Sequence, residues 1–226
     1  MNKEPIYQEL RNNMLDYNDY ADIPVFENGE RLVPITPGRN LAATQYRTEM
    51  LPYTGEQIYV RTFVASKLSQ AATNLARKDP SLSLEVCYGY RPPSVQQANF
   101  DKQKMTLENQ YEGRELLAMT HRAVAVPEVA GHPAGAAVDI RIVKDDEPLD
   151  FGTDIWDFSN DSYTFSPFIS EEAARNRKLL RSAMLGVGFA PFDGEWWHFS
   201  YGDKEWAKYY NQPIAYYGQL EFRSEP

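Results

Sequence analysis

The stretch Gly131-His132-Pro133-Ala134-Gly135-Ala136-Ala137-Val138-Asp139 restricts what this chain can become more than any other. Pro133 and Gly135 permit a turn directly after the histidine, because proline fixes φ and glycine opens the left-handed region. Small residues then lead into an apolar run that reads as a strand, with Asp139 inside it. One polar group therefore stands before a turn and a second within a strand. Far downstream, Gly194-Glu195-Trp196-Trp197-His198-Phe199 offers another histidine with a glutamate three residues before it. Two histidines and one carboxylate are the ligand set of a catalytic zinc site whose fourth position is left to water. A further glutamate is what such a site uses as a proton carrier. His132, Asp139 and His198 are thus candidate metal ligands, and Glu195 is the candidate base.

The chain of 226 residues is long enough for one substantial core, and no shift of composition marks a second domain. One domain spanning residues 1–226 is expected, with residues 1–55 as an N-terminal arm packed on it. A net charge of -9 with scattered Lys and Arg argues against nucleic acid, whose phosphates call for clustered cations. A small or cationic ligand fits better. Cys87 is the single cysteine, so no internal disulfide forms and nothing demands an oxidising compartment. The first residues lack the charged start and apolar run of a secretion signal. No run approaches the roughly 20 apolar residues that span a bilayer, so no membrane is expected and a cytoplasmic location is.

Residues 1–55 are rich in Asn, Asp, Tyr and Pro, and prolines demote their short extended pieces to edge strands or ordered arm segments. From Val60, apolar residues recur at three- and four-residue spacing through Leu75, which predicts an amphipathic helix ended before Pro80. Residues 82–90 alternate as a half-buried strand running to Arg91-Pro92-Pro93. Residues 94–107 read as a helix, with a helical hint near 114–117 and a loop at Pro127. Strand 136–143 follows the central motif. Residues 149–169 show neither helical nor alternating order, and a loop this long is more often the wall of a binding site than a connection. Ser170, Glu171 and Glu172 open a helix, Gly186 and Gly188 close it, and 189–201 returns as a strand. A short aromatic helix is expected at 205–210.

His121 lacks acidic company and reads as structural, and Trp196 and Trp197 read as core packing. Glu195 and His198, three apart, would face opposite sides of a regular strand. Either Glu195 sits in a turn that Gly194 permits, or the strand carries a bulge. Arg91 precedes Pro92 and is biased to extended geometry at a strand end, where a guanidinium beside a metal can stabilise an oxyanion.

These segments carry a resemblance. Tyr-Gly-Tyr-Arg-Pro at 88–92, the motif at 131–139, Asn-Arg-Lys-Leu-Leu at 176–180 and Gly-Phe-Ala-Pro-Phe-Asp-Gly-Glu-Trp-Trp-His at 188–198 resemble the zinc D-alanyl-D-alanine dipeptidases of the vancomycin-resistance type, over roughly residues 55–205. The resemblance implies an α+β fold with a central antiparallel sheet flanked by helices and the zinc site on the sheet. It implies Zn2+ held by His132, Asp139 and His198, Glu195 as catalytic base, Arg91 as transition-state arginine, and a small dipeptide as substrate. Two departures stand out. Ala130-Gly131 replace the family's usual serine before the first histidine. Phe151-Gly152-Thr153 is followed by Trp156 where the family places an aspartate near the substrate amine, with Asp157 one place later as the candidate substrate contact. With Gly131 in the serine's place, a less restricted pocket and a wider dipeptide range are expected. A carboxypeptidase acting on longer muropeptides and a non-catalytic zinc-containing binding domain of the same fold are the alternatives.

Overall fold

Asp139 lies on the middle strand of the larger of two sheets. The computed structural model describes residues 2–222. The chain opens with α1 (Glu4–Asn12), then β1 (Leu32–Pro34), β2 (Leu41–Ala43), the single turn α2 (Leu51–Thr54), β3 (Tyr59–Arg61) and the long α3 (Thr62–Lys78). There follow β4 (Leu82–Tyr88), α4 (Pro93–Leu107), α5 (Gly113–His121), β5 (Ala137–Lys144) and β6 (Glu147–Pro148). The chain continues with α6 (Glu171–Leu185), β7 (Ala190–Pro191), β8 (His198–Ser200) and α7 (Lys204–Tyr209).

The main sheet has the order β2-β4-β5-β8-β7, with β6 also paired to β5, and β1 and β3 form a separate antiparallel pair. The fold is α+β, but the central sheet is mixed rather than purely antiparallel. β2 runs parallel to β4, with Leu41 opposite Leu84. Between them the chain passes through α2, β3 and α3, a crossover of the kind that parallel neighbours require. β2 comes from the arm, where Leu-Ala-Ala is too short to show alternation. α1 is a second arm element without a forecast. Its buried Tyr7 packs edge-on to Tyr163 and against Phe168, and its hydroxyl donates to Asp161.

Alternate residues of β5 explain the core. Val138, Ile140 and Ile142 join Leu84 and Val86 of β4 against Val64, Leu68 and Leu75 of α3 and Leu180 and Met184 of α6. Complete burial of such side chains contributes about 1.5–3 kcal/mol each, so the strand is anchored through every second residue. Asp139 and Arg141 point the other way. β4 departs from the half-buried expectation because its second face is covered as well. Glu85 is buried there, accepting from Arg141 Nε at 2.7 Å and from the hydroxyls of Thr44 and Tyr46 at 2.8 Å each. α6 starts where its acidic first turn predicts, with Ser170 Oγ accepting from the Ala173 N–H at 3.0 Å.

Candidate active site

Three neighbouring strands bring the site together. On β5, Asp139 stands opposite Tyr88 of β4 on one side and His198 of β8 on the other. Directly opposed residues of antiparallel strands share a face, so all three project together. An irregularity between Val86 and Tyr88 is what brings Tyr88 onto this face, since regular alternation would leave it with Val86 in the core. His132 starts a 3-10 turn, His132–Ala134, that ends at Gly135 with φ +66°. A Cβ on Gly135 would also lie 2.4 Å from Leu32 Cδ2, so the turn after the histidine needs glycine twice over.

His132, Asp139 and His198 each offer one ligand atom within 4.8 Å of the others. His132 Nε2 lies 3.5 Å and His198 Nδ1 3.1 Å from Asp139 Oδ1. His132 Nδ1 meets the Gly89 carbonyl at 2.8 Å; a carbonyl only accepts, so Nδ1 carries the hydrogen and Nε2 turns a lone pair to the cluster. The other oxygen of Asp139 is held by Trp156, whose Nε1–H donates to Oδ2 at 2.8 Å. Burial pushes His132 down to about 4 despite the nearby carboxylate. No proton therefore stands between its lone pair and Asp139 Oδ1 at neutral pH. Burial opposes ionisation of Asp139 too, but the two imidazoles hold it far below the usual carboxylate range. His198 is pulled up to about 9, because its hydrogen bond and charge attraction to Asp139 outweigh burial. The His132 lone pair and the Asp139 carboxylate, with His198 Nδ1 drawn to the same oxygen, fit a divalent cation that would take the place of the His198 proton, with Gly89 and Trp156 orienting the side chains from behind.

Glu195 lies outside the strands. The expected strand over 189–201 is instead two short strands joined by a turn, in which the Glu195 N–H donates to Phe192 O and the His198 N–H to Glu195 O, both at 3.1 Å. Successive three-residue steps bring i and i+3 onto one side, which resolves the parity conflict between Glu195 and His198. Burial is the first cause that pushes the Glu195 carboxyl up to about 7, into the range of a general base. It lines a cavity of about 390 Å³ with the triad and Arg91. Arg91 is strapped in place: Nε donates to Tyr88 Oη at 2.9 Å, Nη1 to Gln96 Oε1 at 2.7 Å, and the guanidinium lies over the Tyr88 ring. Gln96 is itself fixed by the Ala125 carbonyl at 2.7 Å. Nη2 of Arg91 makes no hydrogen bond among the described residues.

Asp157 is not drawn into this cavity. Its side chain is exposed and accepts from the Ser159 N–H at 2.8 Å. Trp156 lines the cavity in its place, at φ +65°, an uncommon conformation for so bulky a residue. The sequence signal was there, a tryptophan at the aspartate position, but nothing in it revealed the hydrogen bond to Asp139. Phe158 of the same loop also lines the cavity, so residues 149–169 do form a wall. Gly131 has a different reason from the one expected. A Cβ there would lie 2.2 Å from Asp203 Oδ2 and 3.0 Å from Ala137 Cβ, so the glycine admits the Asp203 carboxylate rather than only widening a pocket. Trp196 and Trp197 are buried in the core, Trp196 stacked on Phe151 with centroids 4.0 Å apart. His121 uses both ring nitrogens inside the protein, Nδ1 with the Val126 N–H at 3.1 Å and Nε2 with Tyr20 Oη at 3.0 Å.

A buried His/Asp/His cluster that shares its cavity with a raised carboxyl and a fixed guanidinium has the chemistry of a metal-dependent hydrolase acting on a carbonyl compound. The sequence narrows this. The D-Ala-D-Ala dipeptidase family of metallopeptidases matches residues 42–218, and the chain belongs to that family. It is 34% identical over 238 aligned residues to a D-alanyl-D-alanine dipeptidase of Synechocystis sp., covering 89% of this chain and 96% of that one. A D-alanyl-D-alanine dipeptidase of Enterococcus faecium is 29% identical over 135 residues, covering 56% of this chain and 66% of the relative. Among solved structures, a vancomycin-resistance D,D-pentapeptidase in complex with Zn(II) aligns with a TM-score of 0.42 at 20% identity, covering 86% of this chain and 96% of that one. Among the described residues, no helix is long and apolar enough to cross a membrane.

Proposed function

We propose that the protein hydrolyses the peptide bond of D-Ala-D-Ala or a similar short dipeptide, with zinc held by His132, Asp139 and His198. The observation that carries this reading is the meeting of that triad with Glu195 and Arg91 around one cavity, in a chain of the D-Ala-D-Ala dipeptidase family. When bound, zinc supplies Lewis-acid polarisation of the peptide carbonyl and activation of a water. Glu195 accepts the proton of the attacking water and delivers it to the leaving amine. Arg91, through Nη2, donates to the oxygen on which negative charge develops, and Tyr88 and Gln96 keep it from reorganising as the charge appears. Trp156, Phe158 and Phe192 wall the cavity and limit bulk water. A cytoplasmic site of action goes with this reading, since the buried thiol of Cys87 asks for no oxidising compartment.

The test is Glu195→Gln, which keeps the size of the side chain and removes the proton acceptor. The variant keeps about one zinc per chain and loses turnover of D-Ala-D-Ala by roughly 10²–10⁴. Near wild-type turnover would refute the role of Glu195. A second reading, carboxypeptidase action on longer wall peptides, is favoured by one feature. A further cavity of about 610 Å³ adjoins the first and shares Glu195, Phe158 and Phe192 with it. Comparing D-Ala-D-Ala with a pentapeptide ending in it separates the two.

A further inference from the structure

The cavity carries one acidic side chain that neither the ligand set nor the proton relay uses. Glu205, in the first turn of α7, lines it beside His198 and Glu195. The residue is only 9% exposed, its Oε1 is buried without a partner, and no hydrogen bond reaches its carboxyl among the described residues. Helix capping does not account for it. Asp203 caps α7, with Oδ1 accepting from the Trp206 N–H and from Ser200 Oγ at 2.8 Å each. A buried polar group left unsatisfied in a native protein calls for an explanation, and an absent ligand is one.

Charge complementarity says which ligand. A free dipeptide is a zwitterion and needs a cation for its carboxylate and an anion for its ammonium group. Arg47, Arg91 and Lys102 line the cavity as cations, whereas its acidic side chains are Asp139, Glu195 and Glu205, the last of which an adjoining ammonium group would draw into its ionised form. The first two are committed to metal and proton transfer, which leaves Glu205. Arg47 and Glu205 also lie toward opposite edges of the sheet. Arg47 follows β2 and lies over the rings of Tyr88 and Trp156, whereas Glu205 follows β8, beyond the strand that carries Asp139. We propose that Glu205 binds the free ammonium group of the dipeptide and so selects substrates with an unblocked amino end. This rests on the dipeptidase reading and deepens it.

Two ligands test it: D-Ala-D-Ala, and N-propionyl-D-alanine, which keeps the peptide bond and lacks the ammonium group. Zinc-loaded wild type favours D-Ala-D-Ala by roughly 10- to 100-fold in kcat/KM, the scale of a hydrogen bond to a charged group. Glu205→Gln brings that preference close to one, mainly through KM, and Glu205→Asp restores part of it. Calorimetric titration of the same two ligands into zinc-loaded Glu195→Gln, with and without Glu205→Gln, reads binding without turnover. If Glu205→Gln leaves the preference unchanged in both rate and binding, the assignment of Glu205 is overturned. If no variant hydrolyses either compound but Glu205→Gln still abolishes selective binding of D-Ala-D-Ala, Glu205 stands and the dipeptidase reading falls. Melting temperatures of the variants check folding, and an amide of equal size in place of an unpartnered carboxyl leaves them close to wild type.

Discussion

Replacing Trp156 by phenylalanine removes one hydrogen bond from behind the His132–Asp139–His198 cluster and little else. The indole Nε1–H donates to Asp139 Oδ2 at 2.8 Å, while the ring faces Tyr88 and Tyr46 edge-on and lies under the Arg47 guanidinium. Phenylalanine keeps an aromatic face for these contacts and loses the donor. A hydrogen bond to a charged acceptor is worth about 1.5–3 kcal/mol, which is roughly a 10- to 150-fold change in an equilibrium constant. Loss of an outer partner of a metal ligand independently suggests about 10- to 100-fold in metal affinity. The two estimates agree because both measure how far Asp139 is held in its productive orientation. Zinc affinity of wild type and Trp156→Phe, measured by competition with a chromogenic chelator, is expected to differ by that factor. Melting temperatures of the metal-free forms are expected to differ much less. Equal affinities would refute the argument that Trp156 orients Asp139.

Arg91→Ala should lower kcat by on the order of 10²–10³, about 2.7–4 kcal/mol, with a smaller change in KM, because the charge it meets develops in the transition state. A merely structural arginine would instead lower the melting temperature and leave kcat intact. Gly131→Ser places a Cβ 2.2 Å from Asp203 Oδ2, and overpacking of this kind costs about 1–3 kcal/mol. A serine variant as stable as wild type in urea would show that Asp203 moves aside freely. The metal-free protein should lose stability as pH rises from about 6.5 to about 9. His198 is raised to about 9 in the folded state, and Glu205 is raised by burial above its usual carboxyl value. For groups raised on folding, the stabilisation is complete below the unfolded pKa and disappears as pH climbs through the folded one. His132 and His121 are lowered to about 4 and act in the opposite sense, but their contribution is largely complete by their ordinary value of 6.5. Thermal melts in chelator at pH 6.5, 7.5 and 9 check this, and a constant or rising melting temperature would contradict it.

The His132–Asp139 part of the cluster was legible because its signal is local. Pro133 and Gly135 announce the turn, and the strand containing Asp139 follows at once. α3 and α6 were legible through long apolar periodicity and, for α6, a capping serine with acidic neighbours. What escaped depends on contacts distant in sequence. β2 has three residues and gains its place only by lying alongside β4, from which α2, β3 and α3 separate it. The aromatic run at 196–201 has strand composition, yet its first two residues belong to a turn that also sets Glu195 beside His198. Trp156 was visible as a substitution for the family's aspartate, but its bond to Asp139 joins a loop to a strand 17 residues away in sequence. Gly131 was read only in part for the same reason, since it lines the cavity and the carboxylate it also makes room for arrives from residue 203.

His132, Asp139 and His198 are proposed to hold a metal on which D-Ala-D-Ala hydrolysis depends. The most direct test is release of D-alanine from D-Ala-D-Ala by the purified protein before chelation, after it, and after addition of one equivalent of zinc. Turnover is expected to disappear with the metal and return with it in wild type, but not to return in His132→Ala, where a proposed ligand is missing. Turnover that survives complete metal removal, or that zinc restores equally in His132→Ala, would contradict it.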